Sequence, residues 1–370
     1  MKKLITMALL ASFMLGVFAM PLSAAANMPI LSVEEAARRA IRNNSTIMTR
    51  QENELVRTED LRRAREAVFD ARTEIELTNA NVNLMNAELE LSLNLRNIQI
   101  QKENVEFSMT RYFNAVLNAQ NDLELLHKNL EMAKRDLVIA ELRFSLGIAS
   151  ELDYETAEIA VLRIENNIAA QENAINRAFR DLNSFMGVNV NNLNQRHVLE
   201  LELDFEPLPD INLTRHMQRF VSESIHVAEA EGLARQAAYR ADYYITPHNP
   251  LTGEVLRGTG SGLRTYDEMR IFHSQAARGV ADTRVAVSEG VIASYNNIRE
   301  TELSIRTTEI ELRRLVRQLG VQETMLELGR TTQVEVDRLR LQIAELKNSL
   351  QQLRNSHSIM RIAFDNPNIL

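Results

Sequence analysis

Apolar residues recur at Leu123, Leu126, Leu130, Ala133, Leu137, Ala140 and Phe144, alternating three and four residues apart. That spacing is a heptad seam on one face of a helix. After Gly147 it restarts at Tyr154, Ala157, Val161, Ile164 and Ile168, then Ile175, Ala178, Leu182 and Phe185, with polar Gln171 in the skipped slot. Two antiparallel helices with facing seams follow. Between Pro29 and Gly147 there is no glycine or proline, so the helices are long.

The unit recurs 182 residues on without a gap: Phe113-Asn114 becomes Tyr295-Asn296, Leu130 becomes Leu312, Leu146-Gly147 becomes Leu328-Gly329 and Asp153 becomes Glu335. The second seam runs through Ile305, Leu312, Leu315, Leu319 and Leu326, then Val336, Leu339, Ile343, Leu346, Leu350, Leu353 and Met360. A duplicated hairpin of this kind predicts an all-α chain of long antiparallel coiled-coil hairpins with little or no β structure. The expected organisation is a first repeat over 27–187 with its tip near 147, a linker over 188–212, and a second repeat over 213–370 with its tip near 329. The alternating Val198-Leu199-Glu200-Leu201-Glu202-Leu203 predicts one small strand in the linker. A break rich in proline and glycine, Thr246 to Gly262, interrupts the second copy alone.

One stretch pulls the other way. Glu88-Leu89-Glu90-Leu91-Ser92-Leu93-Asn94-Leu95 alternates strictly and has the pattern of a membrane strand. It is poor in β-branched residues, no glycine or proline marks a turn nearby, and Leu77, Ala80, Leu84, Ala87, Leu91 and Ile98 fit a heptad seam. The sequence therefore predicts helix from about Glu76 to Leu146, roughly 105 Å at 1.5 Å per residue, matched by about Asp267 to Leu328 at roughly 95 Å. The chain is expected to turn back near Asn79 and near Pro247 without crossing a bilayer.

Composition narrows the class. The chain opens with Lys2 and Lys3, an apolar stretch from Leu4 to Met20, then Pro21 and small residues through Ala26, the layout of a secretory signal over 1–26. The absence of cysteine excludes disulfides and a lipid-bearing cysteine behind that signal. A net charge of −8 gives no basic footprint for nucleic acid.

These residues carry a family resemblance. Leu31-Ser32-Val33-Glu34-Glu35-Ala36, running on to Asn43-Asn44 and opening with a Ser32/Glu35 capping box, resembles the first helix of the TolC-like outer membrane efflux family. Tyr112-Phe113-Asn114-Ala115-Val116-Leu117 is similar to the tyrosine-containing segment of that family's first long helix. Arg143-Phe144-Ser145-Leu146-Gly147-Ile148, with Leu152-Asp153 beyond, is similar to its helix-turn-helix tip, and Leu182-Asn183 through Met186-Gly187-Val188 to the end of its first returning helix.

The resemblance implies a homotrimer in the cell envelope or outer membrane, whose helices form a hollow cylinder continued by a β-barrel. It also implies a periplasmic adaptor (a membrane fusion protein) and an inner-membrane pump as partners. In the family each copy carries a pair of membrane strands between its short ascending helix and its long descending one; here the first copy has no turn residues at that point. Arg143, Leu146, Gly147, Ile148, Leu328 and Gly329 are the expected adaptor-docking tips. Asp153 and Glu335 are the expected tunnel-entrance charges, with Arg338 placed to neutralise them. The same residues have plain structural readings: glycine ends a helix in the left-handed region, Arg143 meets a helix C-terminus, and Asp153 and Glu335 meet helix N-termini.

The histidines at 127, 197, 216, 226, 248, 273 and 357 lack metal-ligand spacing, and each is expected on solvated surface. Neither a phosphate loop nor a serine-nucleophile elbow is present, so no catalytic residue, cofactor or metal is expected. Two functions remain: an efflux duct subunit, or a non-conducting envelope scaffold that keeps the helices and has lost the barrel.

Overall fold

The computed structural model describes residues 29–244 and 265–369. The expected signal sequence and the break from Thr246 to Gly262, with the expected reversal near Pro247, lie outside the described residues. The helices are α1 (Val33–Asn43), α2 (Ser45–Asp70), α3 (Glu74–Ser145), α4 (Glu151–Phe185), α5 (Leu213–Glu223), α6 (Ile225–Asp242), α7 (Tyr266–Glu327) and α8 (Gln333–Asp365). Two short strands, β1 (Ile30–Ser32) and β2 (Val198–Glu200), pair in parallel. The alternation after Val198 is laddered for only three residues because β1 offers only three.

The stretch 88–95 is helical, inside the 72-residue α3. Each long helix starts on a hydroxyl cap three residues before an acid: Thr73 with Glu76, Ser150 with Asp153, Thr265 with Glu268, and Thr332 with Glu335. Thr73 and Glu76 also set the reversal between α2 and α3, which falls at Ala71-Arg72-Thr73 rather than near Asn79. The Glu76 carboxylate accepts the N–H groups of Arg72 (2.9 Å) and Thr73 (3.2 Å), closing the turn without glycine or proline. At α1 only half of the expected box forms: Ser32 accepts the Glu35 N–H, while the Glu35 carboxylate pairs with Arg39.

Inside each hairpin the seam is apolar. Val105, Met109, Phe113 and Val116 of α3 bury against Ile175, Phe179 and Leu182 of α4 and the small face of α1; Leu315 of α7 packs with Leu339 and Ile343 of α8. Gln171, the polar residue in the α4 seam, donates to the Ala119 carbonyl of α3 at 2.9 Å. Between the hairpins, by contrast, α3 meets α8 through polar side chains. Glu103 accepts from Asn366, Asn114 from Asn355, and Asp122 from Asn348 and Gln352; Arg135 and Asp136 pair with Asp337 and Arg338.

Three histidines depart from the surface expectation: His216 is half-buried, its ring stacked on Phe364 with Nε2 3.0 Å from the Phe364 carbonyl, and two more are buried. His357 is fully buried with Nε2 3.1 Å from Glu302 Oε1, and Phe205 meets its ring edge-on. His197 is also buried; loss of solvent, with the Arg39 charge nearby, lowers its pKa and keeps the ring neutral. Both lie where the 188–212 segment crosses the helices, a contact that local sequence does not announce.

Gly232 of α6 faces Leu89 of α3 so closely that an added Cβ would lie 2.5 Å from the leucine methyls. Gly232→Ala is therefore expected to destabilise by about 1 kcal/mol, overpacking outweighing the gain in helix propensity. Gly279→Ala, where a Cβ meets nothing within 4 Å, is expected to stabilise by up to about 1 kcal/mol. Urea midpoints at fixed protein concentration will show the two shifts, and shifts of the same sign would refute the close-packing argument.

Candidate functional site

The two hairpin tips share one construction. Gly147 and Gly329 stand just past α3 and α7 with φ of +68° and +65°, the left-handed conformation that glycine adopts without a Cβ penalty. The Gly147 N–H donates to the Phe144 carbonyl at 2.9 Å and the Ile148 N–H to the Arg143 carbonyl at 2.8 Å. At the second tip Gly329 donates to Leu326 and Arg330 to Met325 at 2.9 and 2.8 Å. This paired closure satisfies the last helix carbonyls and lets the chain reverse in five residues. Gly187 ends α4 in the same way.

The tips lie at one end of the molecule, side by side, through the pairs Arg135–Asp337 and Asp136–Arg338. From that level α3 continues about ten residues to its end, whereas Asp337 lies only about four residues into α8. The first tip thus projects roughly 9 Å beyond the second.

Leu146, Ile148 and Leu328 are 63 %, 73 % and 65 % exposed, and a Cβ added at either tip glycine meets nothing within 4 Å. The tips are apolar knobs on open turns. Arg143 is exposed in the last turn of α3, and its carbonyl is spent on the turn.

The three charged residues are spoken for within the chain. Asp153 closes the α4 capping box, accepting the Ser150 hydroxyl at 2.8 Å and the Ser150 N–H at 3.0 Å, and these two donors hold its carboxyl below the usual range. Glu335 pairs with Arg338 at 3.3 Å, and Arg338 also forks onto both Asp136 oxygens at 3.1 and 3.2 Å. Arg338 therefore links α8 to α3 as well as balancing Glu335. The Arg338–Asp136 contact, across 202 residues of sequence, has no local signal. Among the described residues no cluster of three or more metal-ligating side chains occurs.

Side by side, the helices make a slab. Towards the tips the order is α4, α3, α8, α7; towards the other end it is α2, α3, α6, α7. Helices α4 and α2 form one edge and α7 the other. On α7, Val285, Ile292, Leu303, Ile310 and Val321, with Leu328 capping its end, are all exposed. Their separations alternate seven and eleven, an 18-residue period that equals five turns at 3.6 residues, so the stripe runs straight along the helix for about 65 Å. The opposite edge carries Leu152, Ile159 and Leu162 on α4 and Met48, Leu55 and Phe69 on α2.

No protein-family model matches the sequence, and no curated protein matches it. Solved structures do match in fold. The outer membrane protein VceC from Vibrio cholerae superposes with a TM-score of 0.62 at 10% identity, covering 89% of this chain and 95% of that one. The CmeC outer membrane channel of Campylobacter jejuni gives 0.62 at 11% identity over 90% and 84% of the two chains. The outer-membrane channel OprN gives 0.63 at 10% identity over 91% and 90%. The fold is that of TolC-like outer membrane channels; at such identities the likeness is one of fold.

Proposed function

We propose that this chain is a duct subunit of an export system: three copies close into a helical tunnel whose tips dock an adaptor that links it to an inner-membrane pump. The observation that carries this reading is the slab with two apolar edges. A straight stripe of large apolar side chains on α7 costs solubility in a lone chain, and the α4 and α2 edge offers a complementary stripe. Edge-to-edge contact between unlike edges is heterologous, the kind of contact that makes a ring when its rotation closes, and closure at three copies is the arrangement proposed. The exposed tips then gather at one mouth, with Leu146, Gly147, Ile148, Leu328 and Gly329 as the docking surface and Arg143 at its border. Asp153 and Glu335 contribute charge near that mouth, and Arg338 offsets part of it. The domain reading of two repeats around a linker over 188–212 follows the same duplication.

The Ala71–Thr73 reversal favours a second reading, a non-conducting scaffold on the same helices. A membrane strand takes about 9 to 11 residues, and three residues join α2 to α3.

Docking is testable at the tips, because their side chains can be changed without touching the core. Leu146→Glu, Ile148→Glu and Leu328→Glu together are expected to weaken capture of a helical-hairpin adaptor from the same organism by tenfold or more, on the order of 1.4 kcal/mol, with helicity unchanged. Full capture by this variant would remove the tips from the interface. Conductance across a planar bilayer separates the two readings: channels support the duct, and silence with intact docking supports the scaffold.

A further inference from the structure

We infer that the joint between copies repeats the joint inside the chain, so that Asn296 and Arg317 of one copy pair with Asn173 and Glu155 of the next. The inference rests on the ring proposed above and assigns the residues that set the register of its tip-side half.

Inside the chain, α3 meets α8 along one face of each helix. Asn355 donates to Asn114 Oδ1 at 3.0 Å, Arg135 pairs with Asp337, and Leu341 and Ala344 of α8 share a groove with Lys128 and Met132 of α3. The 182-residue repeat carries each partner to an edge of the slab, α3 onto α7 and α8 back onto α4. Asn114 becomes Asn296 and Asn355 becomes Asn173; Arg135 becomes Arg317 and Asp337 becomes Glu155. An amide pair and an arginine–carboxylate pair are thus both repeated, although α7 and α4 form opposite edges of the chain.

Within one chain these four residues have nothing to bind. All are exposed, and none has a hydrogen-bond or ion-pair partner among the described residues, whereas Asn355 in the internal joint is only 8 % exposed.

Around them the repeat turns apolar. Lys128 becomes Ile310, Ala344 becomes Leu162, and Leu341 becomes Ile159, all exposed large side chains in the single chain. An edge built for water would keep the lysine and the alanine; large apolar groups there call for a cover. The cover that fits is a second copy, because each edge carries the counterpart of a surface that the other edge's counterpart already binds. Apolar contact supplies the attraction, and the polar pairs fix the register, since a shifted joint would bury an amide and a charge without partners.

The chain has no cysteine, so two introduced thiols report on one contact. Asn173→Cys/Asn296→Cys, treated with a short bis-maleimide, is expected to give covalent dimers and trimers on a denaturing gel. Either single variant should give none, because the joint is heterologous. Asn114→Cys/Asn355→Cys is the standard for the internal joint, and it should cross-link as readily while keeping the single-chain mass. Arg317→Glu and Glu155→Arg are each expected to raise the concentration at which the assembly comes apart by about fivefold or more, and the double reversal Arg317→Glu/Glu155→Arg to restore it. Helicity should stay unchanged throughout, because all these edge positions are exposed. A mass of three chains without cross-linking at 173 and 296, or single reversals without effect, would overturn the pairing and leave the ring standing. Cross-linking within one chain would also overturn it. A wild type that stays a single chain would remove ring and pairing together, leaving both edges to a different protein.

Discussion

Replacing Leu303 and Ile310 by aspartate is expected to take the assembly apart into single chains. Both side chains stand on the α7 stripe, 60 % and 53 % exposed, and neither contributes to the buried cores. The variant should therefore fold as a protomer, with helicity retained. In a closed ring each would be covered by the next copy's edge helix, so the substitution removes two apolar contacts per joint and buries two unpaired carboxylates in their place. Loss of the apolar contacts alone amounts to roughly 1.5–3 kcal/mol per side chain, and an unpaired buried charge costs several more. Light scattering should give about three chains for wild type and one for the variant. A control at Ser304, exposed on the same helix but about 100° round from the stripe, should leave the mass unchanged. Persistence of the oligomer in the double aspartate variant would place the joint elsewhere.

Glu302→Ala is expected to lower stability by about 2–4 kcal/mol, because it strips the partners from a buried polar cluster. Glu302 is 14 % exposed and holds three donors: the Leu208 N–H, His357 Nε2 at 3.1 Å and Arg299 at 2.9 Å. Arg299 in turn donates to the Leu208 carbonyl at 2.9 Å and lies over the Tyr295 ring. The cluster fastens the 204–210 segment to α7 and α8, and truncation leaves His357 inside with neither ring nitrogen bonded. Glu302→Gln, which keeps the shape and an acceptor, should lose less.

The pH dependence follows from the same contacts. Burial pushes the Glu302 carboxyl up, but the Leu208 N–H, Arg299 and His357 together outweigh it and leave the pKa below its ordinary 4.5. A depressed folded pKa gives stability that is present above the unfolded value and lost as pH falls through the folded one. Wild type should therefore lose this contribution below pH 4.5, and the alanine variant should show a flatter urea midpoint against pH over that range. Equal slopes would assign acid sensitivity to other carboxylates.

Much of this protein is legible in one dimension because its contacts are periodic. Heptad seams, the 182-residue offset and the glycines at 147 and 329 fix long hairpins and their tips, since a helix repeats its own environment every few residues and a glycine past its end has one favoured use. The helical state of 88–95 was readable for the same reason: Leu77, Ala80, Leu84 and Leu91 form a face that continues in both directions, whereas the alternation stops after eight residues. The reversal at Ala71–Thr73 also had a local signal, the Thr73 and Glu76 capping box, which is easily passed over where no glycine or proline accompanies it.

Contacts without a period were left to the tertiary structure. The Glu302–His357 cluster joins residues 55 and 94 positions apart, and the α3–α8 ladder joins residues more than 200 apart. A histidine or an arginine looks the same in sequence whether it faces water or a partner brought in by the fold. The straightness of the α7 stripe also became visible only once the other faces of α7 were seen to be covered, because burial separates the apolar residues that hold a hairpin together from those left exposed.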